Sequence, residues 1–264
     1  MQQYLIPECA LVAAVPGDSA AYTAVLTGKD FHYLAHVRRL APGDSIPAGT
    51  ADGSRFAMTV RERSRDRLSV ALLPMADDDR NAPPLPAMTL AQAVVKPAAM
   101  DLIVRQATEL GVAGIVPVLT ERSVPAAHAQ PRGPRWERIA RSASQQSGRR
   151  LLPSIEAPRS LPEILQAVPD AAGMLVFQPP RHGGADVELP ATLHPTEPVW
   201  LLLGPEGGFS AAELDRIDGA GFRRCALGAT VLRAETAAVA AITAVRVIRH
   251  FAPQPGEDTR RAMR

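Results

Sequence analysis

The segment Leu201-Leu202-Leu203-Gly204-Pro205-Glu206-Gly207-Gly208-Phe209-Ser210 passes from three leucines into a loop with three glycines and a proline. The leucines predict a strand buried on both faces, as in a parallel sheet. Ser210 and Glu213 have the spacing of a capping box and predict a helix that runs to Asp218. Glycines at such a turn let a ligand approach the backbone N–H groups, so we predict a binding loop. The segment matches neither GxGxxG nor a P-loop, which disfavours both nucleotide-binding motifs.

Two further segments have an unusual composition. Leu227-Gly228-Ala229-Thr230-Val231-Leu232-Arg233-Ala234-Glu235-Thr236-Ala237 again predicts a strand, a glycine turn and a helix. At the start of that helix Glu235 favours the helix dipole whereas Arg233 opposes it, which suggests a functional use for Arg233. Ala143-Ser144-Gln145-Gln146-Ser147-Gly148-Arg149-Arg150 ends a helix in amides and arginines, and an ordinary solvated helix end explains it as well.

Length and composition place the chain among ordinary globular proteins. Its 264 residues suffice for two compact units. The hydrophobic fraction of 46% and charged fraction of 21% exclude a disordered chain or a fibre. No apolar run is long enough for a membrane helix, and Met1–Ala10 has no basic region of a signal peptide, so we expect a cytoplasmic protein without membrane association. Cys9 and Cys225 stand alone, so neither a disulfide nor a metal site is predicted.

Basic charge is concentrated in two segments, although the net charge is only +2. Residues 121–160 hold eight arginines against three glutamates, and residues 54–67 hold five arginines against two acidic residues. Guanidinium groups suit bidentate contacts to phosphate, which favours RNA as a partner. An arginine-rich composition without functional meaning is the alternative, because Lys29 and Lys96 are the only lysines.

The amino-terminal part predicts a small β-barrel, because short strand-like runs alternate there with turn signals. The runs are Gln3–Pro7, Ala21–Thr27, Asp44–Pro47 and a hairpin of Phe56–Arg63 with Leu68–Leu73. One helix is predicted over Asp30–Leu40, where Phe31, Leu34 and Val37 recur at a spacing of three. We therefore predict a first domain over residues 1–76.

Beyond it, an acidic and proline-rich segment at residues 77–84 predicts a linker. Strands then alternate with helices, a pattern typical of an α/β domain with a parallel sheet and ligands at the carboxyl ends of its strands. We predict this second domain over residues 85–252 and a flexible tail over 253–264. The predicted strands are Met88–Val95, Ile115–Leu119, Met174–Phe177 and Val199–Leu203, and the helices include Met100–Leu110 and Pro134–Gln146.

The last predicted helix, Ala237–Phe251, is apolar nearly all round except for Arg246, Arg249 and His250. Helices of this kind are buried, and in a chain without a membrane span the covering surface can come from another subunit. This pattern leads us to expect a homodimer.

Several motifs together make the sequence similar to one family. Their order and spacing resemble those of the bacterial small-subunit ribosomal RNA uridine-N3 methyltransferases, and the likeness spans almost the whole chain. The motifs are His32-Tyr33-Leu34 through Arg39-Leu40, Gly43-Asp44, Glu109-Leu110-Gly111-Val112, Glu121-Arg122-Ser123, Gln146-Ser147 with Arg149, Gly204–Gly208, and Leu227-Gly228 through Leu232–Ala237.

The resemblance implies a PUA-like, RNA-binding β-barrel followed by a SPOUT α/β domain with a carboxyl-terminal trefoil knot, working as a homodimer. It implies methylation of N3 of a specific uridine in the 16S ribosomal RNA of the small subunit, with S-adenosyl-L-methionine as cofactor and no metal. The implied cofactor residues are Phe177, Gln178, Pro179, Leu203, Gly204, Pro205, Glu206, Gly207, Gly208, Ala226, Leu227, Gly228, Val231 and Leu232.

The reaction itself suggests catalytic roles, because the uracil imide must lose a proton and its ring then becomes anionic. Arg233 is the candidate cation, either for the carbonyl oxygens or for the target phosphate, and Glu206 or Glu235 is the candidate base. A carboxylate that only braces its loop explains Glu206 equally well. The predicted RNA contacts are Arg39, Arg61, Arg63, Arg122, Arg135, Arg138, Arg141, Gln146 and Arg149.

Two other functions fit parts of the sequence. One is a catalytically silent RNA-binding protein, which the glycine-rich loops disfavour because binding RNA needs no cofactor cradle. The other is a methyltransferase of the same fold that acts on another RNA base, since the acceptor base depends on the shape of the pocket.

Overall fold

The structure is a computed structural model that describes residues 3–7, 11–13, 20–75, 87–124, 133–169, 172–179, 189–190, 193–194 and 196–251. The predicted linker at 77–84, the predicted tail at 253–264 and Cys9 lie outside these residues. The chain divides into an N-terminal unit, residues 1–83 with 144–152, and a C-terminal unit, residues 84–143 with 153–264. Residues 144–152 thus pack with the N-terminal unit although they follow 60 residues of the other.

A mixed six-stranded sheet forms the N-terminal unit, with the strand order β1-β4-β5-β6-β3-β2. Strand β1 runs parallel to β4, and the other pairs are antiparallel. Alternate side chains of the long hairpin, among them Met58, Val60 and Val70, are buried, because successive residues of a strand point to opposite faces. The strands are β1 (Tyr4–Leu5), β2 (Leu11–Ala13), β3 (Tyr22–Thr27), β4 (Ser45–Gly49), β5 (Arg55–Arg63) and β6 (Arg67–Pro74).

The helix of this unit is shorter and less regular than Asp30–Leu40. Helix α1 (Gly28–His32) continues as a π-helical turn, Tyr33–Val37. Phe31 and Leu34 are buried as predicted, but Val37 is 60% exposed. The prediction for Val37 was wrong because a π turn takes more residues than an α turn and rotates the third position off the buried face.

In the C-terminal unit the strands run parallel in the order β10-β8-β7-β12-β11-β13, with β9 also paired to β8. The predicted parallel α/β sheet is therefore confirmed. Its elements are β7 (Met88–Ala93), α2 (Pro97–Glu109), β8 (Gly114–Leu119), α3 (Gly133–Ser147), β9 (Ser154–Ile155), β10 (Arg159–Ser160), α4 (Leu161–Ala167), β11 (Gly173–Phe177), β12 (Val199–Leu203), α5 (Ala211–Gly219), β13 (Arg223–Cys225) and α6 (Ala234–His250).

Helices cover both faces of this sheet. One apolar cluster joins the sheet to α2 and α6, and another joins it to α4 and α5. Leu201, Leu202 and Leu203 of β12 are all buried at the centre. Full burial of a leucine side chain contributes about 1.5–3 kcal/mol, so this strand anchors the loop that follows it.

Helix α6 differs from the expectation of nearly complete burial. The arginine Arg249 is buried although it was expected to be an exception to the apolar pattern, whereas Val247 is 50% exposed; the other buried residues are Ala234, Ala238, Ala241, Ile242 and Val245. Within the chain, α2 and β12 cover one side of the helix, and the side that carries Val247 stays open. Among the helices described, none is long and apolar enough to cross a membrane.

Candidate active site

A cavity of about 330 Å³ lies in the C-terminal unit at the carboxyl ends of β11 and β12. Parallel sheets place ligand sites at this edge, and the volume is at the lower end of about 300–1,000 Å³ for small-molecule sites. Three loops meet there, one after β11, one after β12 and one before α6. The lining residues are Phe177, Gln178, Pro179, Leu203, Gly204, Pro205, Glu206, Gly208, Phe209, Leu214, Leu227, Thr230, Val231, Leu232, Ala234 and Ala237.

The structure thus brings together the three segments that the sequence assigned to a cofactor. Eleven of the fourteen predicted residues line the cavity, and Gly207, Ala226 and Gly228 do not. The sequence prediction missed Phe209, Leu214, Thr230, Ala234 and Ala237. All but Leu214 belong to the segments quoted above, so wider bounds for the loops would have included them.

The loop after β12 is tightly folded around its glycines. A Cβ atom on Gly204 would lie 3.1 Å from Cε2 of Phe209. Gly208 has a φ of +66°, a backbone conformation that favours glycine, and its N–H donates to the carbonyl oxygen of Pro205 at 2.8 Å. Close packing and a left-handed turn therefore explain two of the three glycines.

The side chain of Gln92 contacts the start of this loop. It is fully buried near the end of β7, in register with Leu203 of β12. Its side-chain Nε2 lies 3.4 Å from the carbonyl oxygen of Gly204. Because Gln92 donates to the first residue of the loop, it ties the loop to the centre of the sheet.

Gln178 offers an unused polar group at the cavity. Its backbone N–H donates to the carbonyl oxygen of Cys225 at 3.0 Å, which joins the loop after β11 to β13. Its side-chain Nε2 is buried and has no hydrogen-bond partner among the residues described. Buried polar groups are usually paired, so this amide is available to a polar ligand in the cavity.

The three candidate catalytic residues lie at different places. Glu206 lines the cavity and is exposed. Arg233 is the exposed N-cap residue of α6, between two residues that line the cavity, Leu232 and Ala234. Glu235 is half-buried in the first turn of α6 and does not line the cavity. The geometry therefore puts a carboxylate on the cavity wall and a cation beside it.

The predicted RNA contacts fall on both units. Arg39, Arg61, Arg63, Gln146 and Arg149 belong to the N-terminal unit, and all except the half-buried Arg149 are exposed. Arg39 has a φ of 58°, uncommon for a residue with a side chain, and directly follows the π-helical segment and Arg38.

In the C-terminal unit these arginines also have partners within the protein, among them Arg138, whose Nε donates to the carbonyl oxygen of Pro134 at 3.3 Å. Arg135 forms a bidentate ion pair with Asp101, with Nε 2.9 Å from Oδ2. The hydrogen bond to Asp101, and then its charge, raise the pKa of Arg135. Arg122 donates to the carbonyl oxygen of Gly207 at 2.8 Å. Arg138 is exposed and Arg141 half-buried on the same helix as Arg135.

Comparison with known proteins agrees with this architecture. Residues 82–246 match the family model of an RNA methyltransferase domain, and residues 26–73 match that of an RNA methyltransferase PUA domain. The fold and the cavity thus define an RNA methyltransferase with an amino-terminal PUA domain. A relative from Synechocystis sp., named ribosomal RNA small subunit methyltransferase E, is 31% identical over 90% of this chain and 77% of its own. The chain belongs to the ribosomal RNA small subunit methyltransferase E family.

Solved structures extend the likeness to the whole fold. A ribosomal RNA small subunit methyltransferase E from Neisseria gonorrhoeae, bound to S-adenosyl methionine, superposes with a TM-score of 0.80 and 28% identity over 94% of this chain and 97% of that one. A putative methyltransferase from Legionella pneumophila in complex with the same cofactor gives a TM-score of 0.76 and 25% identity, over 93% and 96%.

These similarities test several of the predictions made from the sequence. A PUA domain followed by a parallel α/β RNA methyltransferase domain is confirmed, and so is an RNA methyltransferase activity, whereas the assignment to the SPOUT class stays a prediction. The cofactor prediction is confirmed by the two similar structures that contain it. The trefoil knot and the roles of individual residues stay predictions.

Proposed function

We propose that this protein transfers the methyl group of S-adenosyl-L-methionine to N3 of a uridine in the 16S ribosomal RNA of the small subunit. The observation that carries the proposal is the cavity into which the three predicted loops converge at the carboxyl edge of the sheet. The named activity of the relatives supports the same substrate class.

The cavity suits this cofactor in two respects. Apolar side chains, including Leu203, Leu227 and Leu232, line it and can accommodate the adenine ring. The unpaired amide of Gln178 can supply a hydrogen bond to a polar edge of the ligand. The bound cofactor supplies a methyl group activated on a sulfonium, and the protein supplies position and charge.

Two side chains, Glu206 and Arg233, take the chemical roles in this proposal. The bond from sulfur to the methyl carbon breaks as the bond from N3 to carbon forms, and the imide proton leaves N3. Glu206 is favoured over Glu235 as the acceptor of that proton, because only Glu206 lies on the cavity wall. Arg233 stabilises the anionic carbonyl oxygens of the ring from its place at the start of α6.

The RNA is held through its phosphates by exposed arginines on both units, Arg39, Arg61 and Arg63 on one and Arg138 on the other. Such contacts position a substrate without reading its sequence. Specificity for uridine then depends on the cavity, where the target base lies next to the methyl donor.

The protein acts as a homodimer in the cytoplasm, where small ribosomal subunits are assembled. Two apolar side chains support the dimer. Val247 and Phe251 at the end of α6 are 50% and 78% exposed. They lie four residues apart, on neighbouring turns, and large exposed apolar side chains placed in this way mark a surface that another chain covers.

The decisive experiment measures the product. The purified protein is incubated with S-adenosylmethionine and small subunits from a strain that lacks this modification, and the nucleosides are analysed by mass spectrometry. We expect N3-methyluridine, and none with a Gly204→Val variant whose side chain has no room beside Phe209. A different methylated nucleoside would assign another base, and no methylation would favour a silent RNA-binding protein.

A further inference from the structure

Arg122 lies against the loop after β12, although the sequence prediction placed it among the RNA contacts. One guanidinium nitrogen donates to the carbonyl oxygen of Gly207 at 2.8 Å. Its aliphatic stem covers the same glycine, because a Cβ atom on Gly207 would lie 3.3 Å from Cδ and 3.4 Å from Cβ of Arg122. Arg122 therefore contacts the loop with both its polar and its apolar parts.

The turn that carries Arg122 is itself fixed. The hydroxyl of Ser123 accepts from the backbone N–H of Thr120 at 2.9 Å and donates to the carbonyl oxygen of Thr120 at 2.8 Å. The next residue, Val124, donates its N–H to the carbonyl oxygen of Val94 at 3.0 Å. These bonds hold residues 120–123 directly after the buried strand β8.

A buried carboxylate links this turn to the helix that follows the loop. Glu213 is only 4% exposed. Its Oε1 accepts from the N–H of Glu121 at 2.8 Å, and its Oε2 accepts from the N–H of Ser210 at 2.9 Å. Hydrogen bonds to a charged acceptor are about twice as strong as neutral ones, so Glu213 joins the two segments firmly.

We propose that Arg122 and Glu213 form a brace that holds Gly204–Gly208 in the shape that binds the cofactor. The proposal rests on the proposed function, and both are positioning residues that act through the loop. A loop with three glycines samples many backbone conformations, and binding a ligand must otherwise restrict them. The brace restricts them beforehand, with Arg122 at Gly207 and Glu213 at Ser210.

The test is a double-mutant cycle on Arg122 and Gly207, read out as S-adenosylmethionine affinity by calorimetry. Gly207 is not among the glycines with a left-handed backbone, so Gly207→Ala tests only the contact. We expect Arg122→Ala and Gly207→Ala each to weaken binding about tenfold, and the double variant to lose far less than about a hundredfold, since contacting residues are not additive. Fully additive losses would overturn the proposal.

A second set of variants separates the brace from general stability. Arg122→Met keeps an aliphatic side chain over Gly207 and removes the hydrogen bond to its carbonyl oxygen. Glu213→Gln replaces one of the two accepting carboxylate oxygens by an NH2 group, a donor that then faces a backbone N–H. We expect both to raise the KM for the cofactor with unchanged affinity for small subunits; Arg122→Met should keep the wild-type melting temperature, whereas Glu213→Gln, which loses a buried hydrogen bond, should lower it. Arg216→Ala removes an exposed arginine from the same helix as Glu213 and serves as the matched control.

The outcomes distinguish this inference from the proposed function. If the wild-type protein does not bind S-adenosylmethionine, the proposed function fails. If the wild type binds it and Arg122→Ala binds it equally well but loses affinity for small subunits, Arg122 is an RNA contact and the brace is refuted.

Discussion

Gly204 and Phe209 are packed so closely that a Cβ atom on Gly204 would lie 3.1 Å from the ring of Phe209. Both residues line the cavity. The ring of Phe209 also belongs to the apolar cluster beneath α5, so it has little freedom to move away. Any side chain on Gly204 must therefore displace the loop and not the ring.

Gly204→Ala should for this reason weaken S-adenosylmethionine binding about tenfold or more, equivalent to about 1.4 kcal/mol or more. Gly219→Ala is the matched control, because a Cβ atom on Gly219 meets no atom within 4 Å. Calorimetric titration of both variants decides the matter. Equal affinities would show that the loop after β12 does not hold the cofactor.

Arg233→Ala should lower the rate of methyl transfer far more than it lowers affinity for small subunits. The reason is its position between two cavity residues, Leu232 and Ala234, from which we propose that it acts on the reacting base and not on the phosphates of the bound RNA. Single-turnover rates and filter binding measure the two effects separately. Arg105→Ala, an exposed arginine on α2, is the control. A variant that loses affinity but keeps its rate would place Arg233 on a phosphate.

Removing basic charge in groups should weaken RNA binding and flatten its dependence on salt, since each phosphate contact contributes to the slope. The groups are Arg61, Arg63 and Arg65 of the N-terminal unit, and Arg135, Arg138 and Arg141 of the C-terminal unit. Because Arg135 is paired with Asp101, the second group is best made together with Asp101→Asn, which avoids an uncompensated carboxylate. Filter binding across a salt series gives the slopes, and unaltered slopes would leave composition as the explanation.

The proposed homodimer should dissociate when a charge is placed on the exposed end of α6. Val247→Asp introduces a carboxylate where the proposed partner surface is apolar, so light scattering should show about half the wild-type mass. Val12→Asp changes a similarly exposed valine, 62% against 50%, in the N-terminal unit and should leave the mass unchanged. A wild-type protein that is monomeric and active would contradict the proposal.

Cys225 should make the protein less stable at alkaline pH. Burial raises the pKa of its thiol, although the charge of Arg223 acts in the opposite direction. Above the ordinary thiol pKa the unfolded chain loses its proton while the folded protein retains it. This part of the stability is therefore complete below the ordinary pKa and is lost as pH rises towards the raised one.

The measurement compares free energies of unfolding at about pH 7 and about pH 10, on either side of the ordinary thiol pKa. Cys9→Ser should lose more stability between them than Cys9→Ser with Cys225→Ala. Rapid modification of Cys225 by a thiol reagent in the native Cys9→Ser variant would contradict its burial.

The sequence predicted those parts of the fold that depend on neighbouring residues. Continuous apolar runs such as Leu201–Leu203 identified the buried strands, and the glycines after them identified the loops that meet at the cavity. The capping box of Ser210 and Glu213 was read correctly as a helix start. In each of these cases the residues that interact lie within a few positions of each other.

The brace could not be predicted in the same way. Arg122 meets a glycine 85 residues further along the chain, and Glu213 bonds to a residue 92 positions before it. No local sequence pattern predicts contacts between residues so far apart in the chain. A capping glutamate and an arginine on a turn have ordinary local roles, so their further partners emerge only once the strands have been placed side by side.

Residues 144–152 have a consequence for synthesis of the chain. The backbone N–H of Gln3 donates to the carbonyl oxygen of Gln145 at 3.1 Å, and Leu151 packs over Gly53. A ribosome that makes this protein therefore releases most of the N-terminal unit long before its last segment exists. Until more than half of the chain has emerged, the backbone N–H of Gln3 lacks its acceptor on Gln145, and Gly53 lacks its contact with Leu151. A fragment that ends after residue 83 lacks residues 144–152 of the unit and therefore corresponds to this immature stage.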